Sequence, residues 1–190
     1  MQMKQLLLIL IPGFFMVIAQ PLRGQVFAEE WKEFKSVEGA FRVMAPGEIT
    51  EKNDTVPTAL GELIYHTLFN QTPGIPEGNL IYMVSYCDYP EGAVSSDSTD
   101  LLRDFFDATV AAAANSVAGE VVYQAKDEVQ GFPGRRWRID YMGGKSVIRT
   151  LAFVAGSRYY AIQTVAHLQR NTNVDTERFF KSFQLLPAKG

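Results

Sequence analysis

The chain has 190 residues, of which 47% are hydrophobic, with 18 basic and 21 acidic side chains and a formal net charge of −3. That is one domain by length, with enough apolar material for a substantial core. A mildly acidic chain without a basic run is a poor partner for nucleic acid or an anionic membrane surface.

The amino terminus is expected to be an export signal. Lys4 supplies a positive charge, and residues 6–19 form an apolar run broken by Pro12 and Gly13. The run is shorter than the roughly 20 residues a spanning helix needs. A more polar stretch from Gln20 then ends in small residues that allow cleavage after Ala28 or after Gly24. The expected organisation is a signal peptide over 1–28 and a single α+β domain over 29–190. An uncleaved membrane anchor is the alternative. Removing Lys4 and Arg23 with no acidic residue takes the net charge from −3 to −5. The expected location is periplasmic or secreted, with no stable membrane span after cleavage.

Cys87 is the single cysteine, so no intrachain disulfide can form, and its apolar neighbours favour an inert thiol over a reactive one. Sequons at Asn53 and Asn70 matter only where exported proteins are glycosylated.

In chain order, residues 31–41 lead into a short strand around Phe41, Val43 and Met44, stopped by Ala45-Pro46-Gly47. Residues 48–60 are polar with one proline and are expected to be a loop. Two aromatic and β-branched runs, 61–70 and 80–89, predict neighbouring strands joined by a loose hairpin. Both are apolar on both faces, as in a sheet covered on two sides. Residues 98–118 predict a helix: Asp97 or Ser98 as N-cap, Leu102, Phe105, Phe106, Thr109, Ala113 and Val117 at helical spacing, Gly119 as the C′ residue. Four strand-like runs follow at 119–130, 134–142, 145–155 and 158–166. Their links are Gly131-Phe132-Pro133-Gly134, Gly143-Gly144 and Gly156-Ser157, which predict an antiparallel meander. A last helix over 174–183, capped by Asn173 or Thr172, should turn Phe179, Phe180 and Phe183 to the sheet. Segregated strands and helices with short links mean α+β: an antiparallel sheet of about six to seven strands flanked by helices.

The ordered blocks EGAFRVMAPG (38–47), YMVSYCDYP (82–90), GFPGR (131–135), RTLAFVAGSRYYAIQTVA (149–166) and FFKSFQLLP (179–187) resemble exported bacterial proteins with the PsbP-like fold. The resemblance implies an α-β-α sandwich around an antiparallel sheet. The best-known members of that fold are an extrinsic photosystem subunit and a Ran-binding import factor, which bind macromolecular partners. No block is a catalytic motif, so no site residue is carried across, and the export signal argues against a nuclear role.

Chemistry is sparse. His66, His167 and Asp88 are the candidate metal ligands. Two distant histidines on different elements are instead expected to be strand residues, so neither a metal nor a cofactor is expected. Cys87 lies mid-strand, away from the electropositive setting a thiolate needs. There is no nucleophile elbow, and no glycine-rich turn opens a helix. Asp88, Asp97, Asp100 and Asp104 lack the alternate spacing of a calcium loop. The candidate binding surface is the strand 135–141, where alternation puts Arg136, Arg138 and Asp140 on one face and Trp137, Ile139 and Tyr141 on the other. Arg149 joins the charged face. Arg136, Arg138, Arg149, Tyr141 and Tyr86 are the candidate contacts; a cross-strand ladder of arginine and carboxylate is the competing explanation. Tyr82, Tyr86, Tyr89, Tyr159 and Tyr160 are either core rings or a platform. The expected function is a non-enzymatic binding module whose partner is a protein or small ligand of the cell envelope. The alternative is a carrier or envelope enzyme with a pocket near Arg136 and Arg138.

Overall fold

A computed structural model describes residues 30–71 and 78–187. The expected signal peptide and most of the turn-rich segment 72–79 lie outside the described residues.

The first two strands, β1 (Trp31–Ser36) and β2 (Phe41–Pro46), form an antiparallel hairpin. β2 alternates as expected, with Phe41, Val43 and Ala45 buried and Arg42 exposed. β1 had shown only as a lead-in, because its mostly exposed positions carry no clear period-two pattern.

The polar segment expected to be a loop is instead a strand, β3 (Thr50–Thr58). It pairs with β4 (Gly61–Gln71) along its whole length, from Thr50 opposite Phe69 to Thr58 opposite Gly61. β3 is an edge strand, so its polar residues face water and Pro57 is tolerated there. β4 pairs with β5 (Ile81–Asp88) in the expected antiparallel sense, with His66 opposite Tyr86.

Helix α1 (Thr99–Ser116) buries Leu102, Phe105, Phe106, Thr109, Val110, Ala113 and Ala114. Ser98 occupies the N-cap position without a side-chain capping bond, and Asp100 lies in the first turn. The C-terminus corrects one expectation. The left-handed residue is Ala118, at φ 48°, and Gly119 follows it with its N–H donating to the Ala114 carbonyl at 2.9 Å. This is a Schellman arrangement with Gly119 one place later than expected. Glycine is required there by space: a Cβ would lie 2.5 Å from Ile139 Cγ2 and 2.9 Å from the Asp140 carbonyl.

Strands β6 (Glu120–Val129), β7 (Phe132–Tyr141), β8 (Ser146–Ala155) and β9 (Arg158–His167) form the predicted meander. The first link is tighter than expected. Gln130 and Gly131 make the turn, both at positive φ, while Phe132, Pro133 and Gly134 already belong to β7. Gly134 serves packing: a Cβ would lie 2.4 Å from the Ala152 carbonyl. After a 3-10 turn at Leu168–Arg170 comes α2 (Val174–Ser182), capped by Asn173 Oδ1, which accepts from Thr176 N. A short β10 (Gln184–Leu185) then pairs with β2.

Among the described residues the result is an antiparallel α+β fold with two sheets. The main sheet has seven strands in the order β3-β4-β5-β9-β8-β7-β6; the small one is β1-β2-β10. α1 covers one face of the main sheet, over Trp137, Ile139, Cys87, Tyr89 and Leu63. α2 and β2 cover the other, over Leu68, Tyr82, Tyr86, Phe153 and Tyr160, with Phe41, Phe179, Phe180 and Phe183 packed against them. Each face thus buries its own apolar cluster, as the two-sided strands require.

Candidate functional site: an arginine strip and a histidine–tyrosine corner

Three of the candidate residues meet on the α2 face. Arg138 and Arg149 are direct cross-strand partners, so two like charges stand opposite each other. Such a pair destabilises a sheet unless anions intervene, and here they do. Arg138 forks onto Asp140, with Nε and Nη2 at 2.7 and 2.8 Å from its two oxygens. Arg149 Nη2 donates to Glu177 Oε1 at 2.8 Å, and Arg136 Nη1 reaches the same oxygen at 3.4 Å. Arg136 Nε donates to Asp127 at 2.9 Å, and its guanidinium lies 5.5 Å from the Phe180 ring centroid. Asn171 ties in the remaining donors: its side-chain oxygen accepts from Arg138 and its carbonyl from Arg149.

Three guanidinium groups therefore meet three carboxylates from β6, β7 and α2. The strip fastens α2 to the sheet and is charge-balanced, with its arginines largely buried. Asp127, Glu177 and Asn171 were not among the candidates. The legible signal was the i,i+3 spacing of Glu177 and Phe180, which puts both on the sheet-facing side of α2.

The other two candidates lie elsewhere. Tyr141 is on the α1 side of β7, half-buried, and burial raises its pKa against the lowering effect of a hydrogen bond with Ser146. Tyr86 shares the α2 face, but in a different row. It sits opposite Tyr160, which is opposite Phe153, whereas Arg138 and Arg149 share their row with Thr164 and Tyr82.

The tyrosines are core residues. Tyr82, Tyr86, Tyr89, Tyr159 and Tyr160 are all buried. The Tyr160 hydroxyl donates to the Gly39 carbonyl at 2.9 Å, and the Tyr65 and Tyr89 hydroxyls share a 2.7 Å hydrogen bond. Cys87 is fully buried, and burial pushes its thiol up to about 12. That keeps the sulfur protonated and unreactive at neutral pH.

His66, His167 and Asp88 do not converge. His167 ends β9 at an exposed position, and Asp88 is held by Arg158 through two 2.6 Å hydrogen bonds. His66 has different neighbours. Its ring stacks on Tyr86, with centroids 4.4 Å apart and planes 3° from parallel. Its Nδ1 lies 3.8 Å from Glu38 Oε1, which is too far for a hydrogen bond. Glu51 approaches from β3: it pairs with Leu68 while Asn53 pairs with His66, so Glu51 is the diagonal neighbour of the histidine. Glu38 comes from the β1–β2 turn, whose next residue, Gly39, packs on Tyr86 and Phe41 too closely for any Cβ. Burial above all, then the charges of Glu38 and Glu51, pushes the Tyr86 hydroxyl up to about 12.

Two clefts flank the strip and α1. One, of about 240 Å³, is lined by Arg136, Gln130, Phe180, Lys181 and Phe183. The other, of about 170 Å³, lies between α1 and β7 beside Arg103 and Arg135. Both fall short of the roughly 300–1,000 Å³ typical of small-molecule sites.

No protein-family profile and no curated protein matches the chain. Among solved structures it is similar to the solution structure of cyanobacterial PsbP from Synechocystis sp. PCC 6803, at 11% identity and a TM-score of 0.47. The match covers 87% of this chain and 98% of that one. At that identity and score it transfers neither a function nor a site residue.

Proposed function

We propose that the chain is an exported, non-enzymatic binding module whose partner is a macromolecule of the cell envelope. The observation that weighs for this reading, against a catalytic or enclosed-ligand site, is that the arginine strip is neutralised within the fold. Its guanidinium groups are committed to Asp127, Asp140 and Glu177, and the adjoining cleft of about 240 Å³ is shallow for an enclosed substrate. The buried, protonated Cys87 is likewise unsuited to nucleophilic chemistry. No helix among the described residues is long and apolar enough to cross a membrane. Cross-linking in intact cells, followed by purification from the envelope fraction, tests the reading. A single reproducible protein partner is expected. Recovery of the chain alone, under conditions that retain known envelope complexes, refutes it.

A small-ligand carrier is the second reading, favoured by the placement of Arg136 and two phenylalanines on that same cleft. It predicts that Arg136→Ala abolishes thermal stabilisation by a bound anionic ligand.

A further inference from the structure

The corner around His66 contains polar groups that the fold leaves without partners. His66 Nδ1 and the Tyr86 hydroxyl are both buried and neither has a hydrogen-bond partner. Such groups are costly to bury unless something else satisfies them. Tyr86 is only 1% exposed, and its ring lies flat on the histidine. Two carboxylates, Glu38 and Glu51, stand over the same spot. One ligand atom from each of Glu38, Glu51 and His66 lies within 4.8 Å of the others.

We propose that Glu38, Glu51 and His66 bind a first-row divalent metal ion of the zinc class, with the Tyr86 hydroxyl facing the bound ion or a water on it. Atoms bound to one zinc at 2.0–2.2 Å lie about 3.3 Å apart at a tetrahedral angle and about 4.2 Å apart when opposed. The 3.8 Å between His66 Nδ1 and Glu38 Oε1 exceeds the tetrahedral spacing by about 0.5 Å. Both glutamates are exposed, so their side chains are free to swing inward from the 4.8 Å that bounds the three ligand atoms to that tetrahedral spacing. The donor set, one imidazole and two carboxylates, suits zinc and its neighbours better than calcium or magnesium, which take oxygen ligands throughout.

The surroundings support the site. Arg158 is a basic neighbour of the corner, its guanidinium 5.1 Å from the Tyr86 ring centroid. Asp88 neutralises it by accepting two 2.6 Å hydrogen bonds, and Arg158 Nη1 donates to the Glu38 carbonyl at 2.8 Å, pinning the turn that carries the ligand. Glu38 belongs to the small sheet's hairpin, while Glu51 and His66 belong to the main sheet. An ion held by all three would fasten one sheet to the other, and binding only the folded state it would raise thermal stability.

The test uses the purified chain, stripped with a chelator and titrated with zinc chloride by calorimetry and thermal melting. One zinc per chain and a rise in melting temperature are expected. Glu51→Gln and His66→Gln should each weaken affinity by at least about tenfold, since losing a ligand costs no less than losing a supporting contact. His167→Gln should leave it unchanged. Glu38→Gln and Glu51→Gln alter exposed side chains, so their zinc-free melting temperatures check that folding is intact. Cobalt(II) offers a second readout: a visible absorption band that His66→Gln removes. The proposal is overturned by no zinc response, by an equal response to calcium, or by undiminished binding in Glu51→Gln and His66→Gln. Any of these would leave His66 and Glu38 as neighbours 3.8 Å apart with no bond between them.

Discussion

At the scale of single residues, Glu177 decides the most. Its one oxygen accepts from Arg149 and Arg136, joining α2 to β8 and β7. Without it, two partly buried guanidinium groups lose an anion while Arg138 still stands opposite Arg149. Glu177→Ala should therefore cost about 1–2 kcal/mol, less than a fully buried pair because Glu177 is partly exposed. Urea denaturation measures this, and a double-mutant cycle with Arg149→Ala should show coupling. Additive effects would mean that the strip is not a network. The arginines were legible in the sequence because strand alternation places them on one face. Their partners were not: Asp127 and Glu177 are separated from Arg136 by 9 and 41 residues. Local periodicity says nothing about which distant carboxylate arrives.

At the scale of elements, the helices and inner strands were readable and the edges were not. α1 carries a long amphipathic pattern, and β5, β8 and β9 are dense in β-branched and aromatic residues. β3 has no such pattern, because an edge strand is held by backbone pairing to β4 while most of its side chains stay in water, Val56 excepted. Reading it as a loop also hid Glu51, whose place beside His66 exists only once the β3–β4 register is set. Glycines show the converse. Gly134 looked like a turn residue, yet it lies within β7, where the chain needs the missing Cβ for the close approach of Ala152. Gly134→Ala should destabilise the protein by about 1–3 kcal/mol through overpacking at the β7–β8 pairing. A melt or denaturant curve indistinguishable from wild type would show that the two strands can separate locally at no cost.

At the scale of the whole molecule, the two-faced sheet buries a set of acidic protons. Burial pushes the Cys87 thiol up to about 12 from an ordinary 9.0, and burial likewise raises Tyr65, Tyr89 and Tyr159 above their ordinary 10.0. The sign follows from linkage. Above the ordinary values the unfolded chain releases these protons while the folded chain keeps them, so rising pH favours unfolding. Their contribution is complete below about pH 9 and is lost progressively as pH climbs toward 12. The urea midpoint should accordingly be lower at about pH 11 than at about pH 8, with Cys87 becoming alkylatable only as the fold opens. Equal midpoints would contradict the buried placement of these groups.

The sequence by itself determined the α+β class, the meander and its order, both helices and the inertness of the cysteine. All of these follow from patterns within ten or twenty neighbouring residues: hydrophobic period, turn chemistry and capping. Only the tertiary structure decided that β2 leaves the main sheet to pair with β1 and β10, that the arginines are neutralised rather than presented, and that Glu38, Glu51, His66 and Tyr86 share one corner. Those facts depend on strand register and on contacts between segments far apart in the chain, where the free energy lies in the pairing and not in any local preference.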